Sequence, residues 1–146
     1  MNASILMNVM KTQNTLSALP LRLIAGIIFF AHGAQKLFAW FGGYGLEGTG
    51  QWMESIGMAP GYLMALLAGS TEFFGGLLLI IGLFTRPAAL ALAATMVVAI
   101  LTVHISNGLF MSNNGYEFAL ALFAMSVALV FQGGGKFSID AVLSNK

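Results

Sequence analysis

Four apolar stretches, parted by short polar or glycine-rich links, lay out this chain. They run over about Leu21–Trp40, Tyr62–Leu83, Ala88–Asn107 and Glu117–Gln132. The second, YLMALLAGSTEFFGGLLLIIGL, has about 22 residues, and at about 1.5 Å per residue it spans a bilayer core. Pro20 suits the first turn of the first helix, where a missing N–H costs nothing. Pro87 opens the third span after the link Phe84–Thr85–Arg86, and so short a link makes spans two and three antiparallel neighbours. The fourth is short, and a bend or local bilayer thinning accommodates it. The pattern predicts an all-α fold, a polytopic membrane four-helix bundle in a single domain over residues 1–146, without internal repeats.

Composition agrees. Of 146 residues 58% are hydrophobic and 8% charged, against about 25% charged in soluble domains. Mean hydropathy is +0.88. A net charge of +1 gives no reason to expect nucleic acid. The absence of cysteine excludes thiol chemistry, disulfides, iron–sulfur clusters and covalent c-type haem. The N-terminal segment has one charge, Lys11, and no small-residue cleavage pattern, so the first span is expected to stay in the membrane.

Charge sets orientation. Lys11, Arg22, Arg86, Lys136 and Lys146 fall on one side of the spans; Lys36, Glu47, Glu54 and Glu117 fall on the other. Positive residues favour the cytoplasm, so both termini are expected there. The loops Phe41–Gly61 and Gly108–Tyr116 then face outward. Within the first, Gly50–Met58 can form a short amphipathic helix with Trp40, Trp52, Met53 and Ile56 at headgroup level. A plain interfacial anchor is the favoured reading of it, and a lid is the sharper one. After span four, Gly133–Gly135 stop the helix, and Ser138 or Asp140 can cap a short one over Ala141–Ser144.

Against this background Glu72 stands out, for it lies at mid-membrane in an apolar run. An ionised carboxylate there costs roughly 3 kcal/mol even on lenient scales. Its neighbours one turn away are Ala68, Gly69, Gly75 and Gly76, all small, so a second helix packs closely against that face. His32 and Lys36 share a face of span one, with Gln35 beside them. By helical rise, His32 lies roughly 3 Å, Lys36 roughly 9 Å, and His104 and Glu117 roughly 10 Å outward of their span centres. Lys36 should meet Glu72 or Glu117, with His32 and His104 completing a polar layer. One cation, two anions and two neutral imidazoles leave one spare negative charge. A protonated Glu, a charged His or a bound cation would balance it. Glu72 and Glu117 are thus candidate catalytic residues for proton relay, and His32, Lys36, His104 and Gln35 candidate ligand-binding residues. Each has a plainer alternative: a latch for helix packing, a cap on span four for Glu117, a boundary histidine for His104. No HxxxH or ExxH spacing is present, so no metal site is expected, the alternative set being His32, Glu72, His104 and Glu117. His32 and His104 as axial haem ligands are a further alternative. The methionines are scattered and read as packing.

The segments LRLIAGIIFFAHGAQKLFAWFGG, STEFFGGLLLIIGLFTRPAAL, VHISNG, GYEFAL and GGGKFSID resemble the DoxX family of small bacterial inner-membrane proteins. The likeness runs from about Leu21 to Asp140 in the family's order. It implies a four-helix membrane bundle in the inner membrane. It further implies a subunit of a quinone-linked oxidoreductase, or of a complex concerned with oxidative stress.

Three functions follow as expectations. One is a redox-associated subunit whose His, Lys and Glu layer binds a quinone head group, with Phe29, Phe38, Trp40 and Phe73 stacking on it and a partner protein supplying electrons. The second is a transporter or binding protein for a proton, cation or small solute, self-associating through the alanine-rich third span. The third is a structural anchor for a soluble enzyme. Beyond the lipid bilayer, a protein partner or a homo-oligomer is expected.

Overall fold

The computed structural model describes residues 8–144; residues 1–7 and 145–146 lie outside them. Among the described residues the chain is all helical, with no strand. The helices are α1 (Ala18–Phe38), α2 (Gly45–Ser55), α3 (Gly61–Ile81), α4 (Thr85–Ala99), α5 (Glu117–Gln132) and α6 (Ile139–Ser144). A π-helical turn, Ile100–His104, and a 3₁₀ turn, Ile105–Asn107, prolong α4. Three runs, Ala18–Phe38, Gly61–Ile81 and Thr85–Asn107, are long and apolar enough to cross a membrane. At 16 residues, α5 is apolar but shorter.

The first and third spans begin a few residues earlier than the hydropathy pattern suggests, and the fourth begins at Glu117 as expected. Pro20 and Pro87 each sit third in their helices, within the first turn, where no N–H is required by an earlier carbonyl. The amphipathic helix is also displaced, to Gly45–Ser55. It stops because Gly57 takes the left-handed region at φ +87°. Gly57 N–H donates to Glu54 O and Met58 N–H to Met53 O, a Schellman closure. Gly82 ends α3 in the same way, with Gly82 N–H bonded to Leu79 O and Leu83 N–H to Leu78 O.

In lipid, helices gain little from burying apolar surface against one another, so small residues decide which backbones meet. α1 lies along α3 through two glycines on each helix. A Cβ on Gly26 would come 2.9 Å from Gly76 O, and one on Gly33 would fall on Phe73 N and within 2.8 Å of Gly69 O. α3 also meets α4 at Gly75, where Leu92 fills the space a side chain would need. α4 packs on α5, α5 touches α1, and α2 lies across α3. Ala25, Phe29, Leu79, Ala89, Leu92, Leu122 and Leu129 form the buried core between them.

The end that carries Lys11 and α6 is tied by charged side chains. Arg22, 2% exposed, donates to four backbone carbonyls: Gly134, Leu79, Ile80 and Phe137. Asp140 accepts from Phe84 N–H at 2.8 Å and Thr85 N–H at 2.9 Å, so it caps α4 rather than its own helix. Ser138 caps α6 through Ala141 N–H. Arg86 donates to Lys11 O and Phe131 O at the same end.

Candidate functional site

The close α1–α3 contact decides what Glu72 meets. Gly69 lets the α1 backbone approach until its missing Cβ would be 3.2 Å from Lys36 Cβ. Three residues along α3, Glu72 points the same way. Lys36 Nζ donates to Glu72 Oε2 at 2.6 Å. The carboxylate side chain is 5% exposed and the ammonium side chain 23%, so the pair is buried on its acidic side and reachable on its basic side.

What reaches Lys36 is a partly open cavity of about 450 Å³. α1 contributes Phe29, His32 and Lys36 to its wall, and α3 contributes Ala68 and Glu72. α4 and its π-helical turn supply Thr95, Met96, Ala99, Thr102 and His104. The loop before α5 supplies Met111 and Asn114, and α5 itself Phe118, Ala119 and Leu122. α2 covers the remaining side with Trp52 and Met53, and Met58 lies just beyond it. Met53 is therefore buried, at 5% exposure, instead of resting at headgroup level. The α2 segment is held down at its far end, where the Glu54 carboxylate accepts from Gly61 N–H at the start of α3.

The π-helical turn matters locally. Ile105 N–H reaches Ile100 O, one residue further than in an α-helix. Such wide turns recur at functional sites because they re-aim side chains. Here His104 swings against the following loop, where its Nδ1 meets Asn114 O at 2.8 Å. A carbonyl only accepts, so Nδ1 carries the proton. His32 stands across the cavity, its ring centroid 6.1 Å from that of Phe118.

Of the residues singled out from the sequence, the cavity gathers His32, Lys36, Glu72 and His104. It does not gather the other two. Glu117 turns back to accept from Met111 N–H at 2.6 Å, pinning the loop that precedes α5. Gln35 donates to Phe41 O at 3.2 Å and braces the end of α1. Among the described residues no three His, Asp or Glu side chains cluster as a metal site, so His32, Glu72, His104 and Glu117 do not form one. Phe29 lines the cavity. Phe38, Trp40 and Phe73 form a separate aromatic group with Phe30, including a Phe30–Phe73 stack at 4.7 Å. Thr95, Thr102 and Asn114 escaped the sequence reading, since a threonine in an apolar helix reads as neutral filler. A wider, open groove beside Lys136 and α6 has no acid or histidine in its lining.

Comparison with known proteins places this architecture. The DoxX family profile matches residues 17–105, which include α1, α3, α4 and the π-helical turn. The chain belongs to the DoxX family. Relatives of this DoxX chain include CatD of Bacillus subtilis (strain 168), provisionally described as an oxidoreductase. It is 39% identical over 114 residues, 78% of each chain. The inner membrane protein YqjF of Escherichia coli (strain K12) is 29% identical over 143 residues, 94% of this chain and 99% of its own. The uncharacterized membrane protein Rv3486 of Mycobacterium tuberculosis (strain ATCC 25618 / H37Rv) is 30% identical over 141 residues, 89% of this chain and 83% of its own. No solved structure matches. The DoxX chain is a multi-pass protein of the inner membrane. Its exposed Ile24, Ile27, Leu67, Leu90 and Leu101 accordingly face lipid.

Proposed function

We propose that this chain is an integral subunit of a redox-associated membrane complex, and that its cavity receives a quinone or quinol head group. The cavity carries this reading: about 450 Å³ of mostly apolar wall with a lysine–glutamate pair at 2.6 Å built into it. That volume lies within the usual range of about 300–1,000 Å³ for small-molecule sites. The donor set suits a ring bearing oxygen. Lys36 has three N–H donors and gives one to Glu72, which leaves others for a ligand oxygen. Phe29, Met96 and Phe118 offer apolar faces to the ring. A quinone, when bound, supplies two-electron, two-proton chemistry. Lys36 orients its oxygen, Glu72 holds Lys36 and can take a proton from it, and the apolar wall excludes water. With no cysteine for an iron–sulfur cluster, electrons come from a partner protein. The provisional description of CatD as an oxidoreductase agrees with this assignment.

The proposal extends to the setting. Residues 1–146 act as one membrane domain, and α1, α3, α4 and α5 form a four-helix bundle. Both termini face the cytoplasm, because Lys11, Arg22, Arg86 and Lys136 gather at that end. A second reading, a structural latch within an anchor subunit, draws on the same ion pair, which ties α1 to α3. One experiment separates the two. Protein purified in mild detergent is extracted with solvent and analysed for quinones and quinols by mass spectrometry, then titrated with a short-chain quinone and with its quinol. The redox reading expects bound quinone near one per chain, reduced in Lys36→Met. No bound quinone or quinol, and no saturable binding of either, would leave the latch.

A further inference from the structure

The cavity is polarised in its hydrogen bonding, and the polarity bears on which redox form it holds. On the α4 side the hydroxyl of Thr95 donates to Ala91 O at 3.0 Å, and that of Thr102 donates to Val98 O at 2.7 Å. Each hydroxyl hydrogen is engaged one turn back along its own helix, so as placed each oxygen offers a ligand its lone pairs. His104 has its Nδ1 hydrogen on Asn114 O, and in the neutral tautomer so fixed the lone pair is at Nε2. Three groups lining the same wall, from Thr95 to His104, are thus acceptors. The α1 side bears the ammonium of Lys36, a pure donor.

We infer that the site selects a ring that carries a donor hydroxyl at one edge and an acceptor oxygen at the other: the quinol, in preference to the quinone. This rests on the head-group assignment above and goes further, naming the form that is bound. A quinol hydroxyl accepts from Lys36 at one edge, and the second donates to the acceptor wall. A quinone has lone pairs at both edges, so its far oxygen would face Thr95, Thr102 and His104 with no hydrogen between. A buried pairing of lone pair against lone pair is the arrangement a polar site rejects most strongly.

Three probes test it on the full chain in detergent, by anaerobic equilibrium dialysis. They are 2-methyl-1,4-dihydroxynaphthalene kept reduced, the matching 1,4-quinone, and the 1,4-dimethoxy ether, which keeps the ring and loses both donors. The quinol should bind about tenfold or more tightly than either of the others. Thr102→Val should narrow that ratio by about threefold or more, and Thr102→Ser, which restores the oxygen, should recover it. Quinol and quinone binding within about twofold of each other, or the quinone binding tighter, overturns the inference while the head-group assignment stands. If none of the three binds saturably, that assignment falls and the inference falls with it.

Discussion

Lys36→Met is predicted to harm the protein more than Glu72→Leu, although each removes the same ion pair. The asymmetry comes from what is left behind. At 2.6 Å the pair gains about 6 kcal/mol of direct attraction at an effective dielectric of about 20. Most of this is offset by taking both groups out of water. Without Lys36, a carboxylate with 5% of its surface exposed is stranded among apolar helices, which costs about 3–5 kcal/mol. Without Glu72, an ammonium with 23% exposure still reaches the cavity on a flexible stem, and the loss is about 1–2 kcal/mol. The double replacement leaves no charge uncompensated and should fall within about 1 kcal/mol of the parent. Unfolding followed by circular dichroism in mixed micelles across the four proteins gives the coupling directly. Equal losses in the two single variants, summing in the double, would refute the account of Glu72 as a group that depends on Lys36.

Other outcomes follow from the packing and the caps. Gly33→Leu should cost about 3 kcal/mol or more, because its side chain collides with Phe73 backbone, whereas Leu at the open Gly42 position should cost about 1–2 kcal/mol for its left-handed φ alone; thermal unfolding compares them. Asp140→Ala should lower stability by about 1–2 kcal/mol and expose the amides of Phe84 and Thr85 to hydrogen exchange, with no change at the α3 closure. Arg22→Lys should cost about 2–3 kcal/mol in the same unfolding assay, since a lysine cannot reach the four carbonyls that the planar guanidinium satisfies together.

Much of this arrangement was legible along the chain, and the reason is periodicity. Span lengths follow from apolar runs, and the small residues around Glu72 announced a close helix before any partner was known. The helical pair of His32 with Lys36 then left few alternatives for that partner. What stayed hidden depends on loops. Arg22 read as a boundary marker, because its carbonyl acceptors come from the end of α3 and the turn before α6, more than fifty residues away. Asp140 read as a cap for its own short helix, and instead serves α4 across the fold. Glu117 and Gln35 stand at plausible depths, yet each is claimed by a nearby backbone group. Depth is a property of one helix; direction depends on the neighbours. The π-helical turn has no sequence signature in this chain at all.

The glycine contacts between α1 and α3 have a mechanical consequence. Where two backbones touch with no side chain between them, neither helix can roll or slide without collision, so this pair behaves as a stator. α2 is held to α3 in the same way at Gly50 and Gly61, so any breathing that admits a guest must come from the other side, at the tip of α4 beyond Ile100. Lys36 and Glu72 would then stay in place while the opposite wall moves, as the fixed jaw of a vice does.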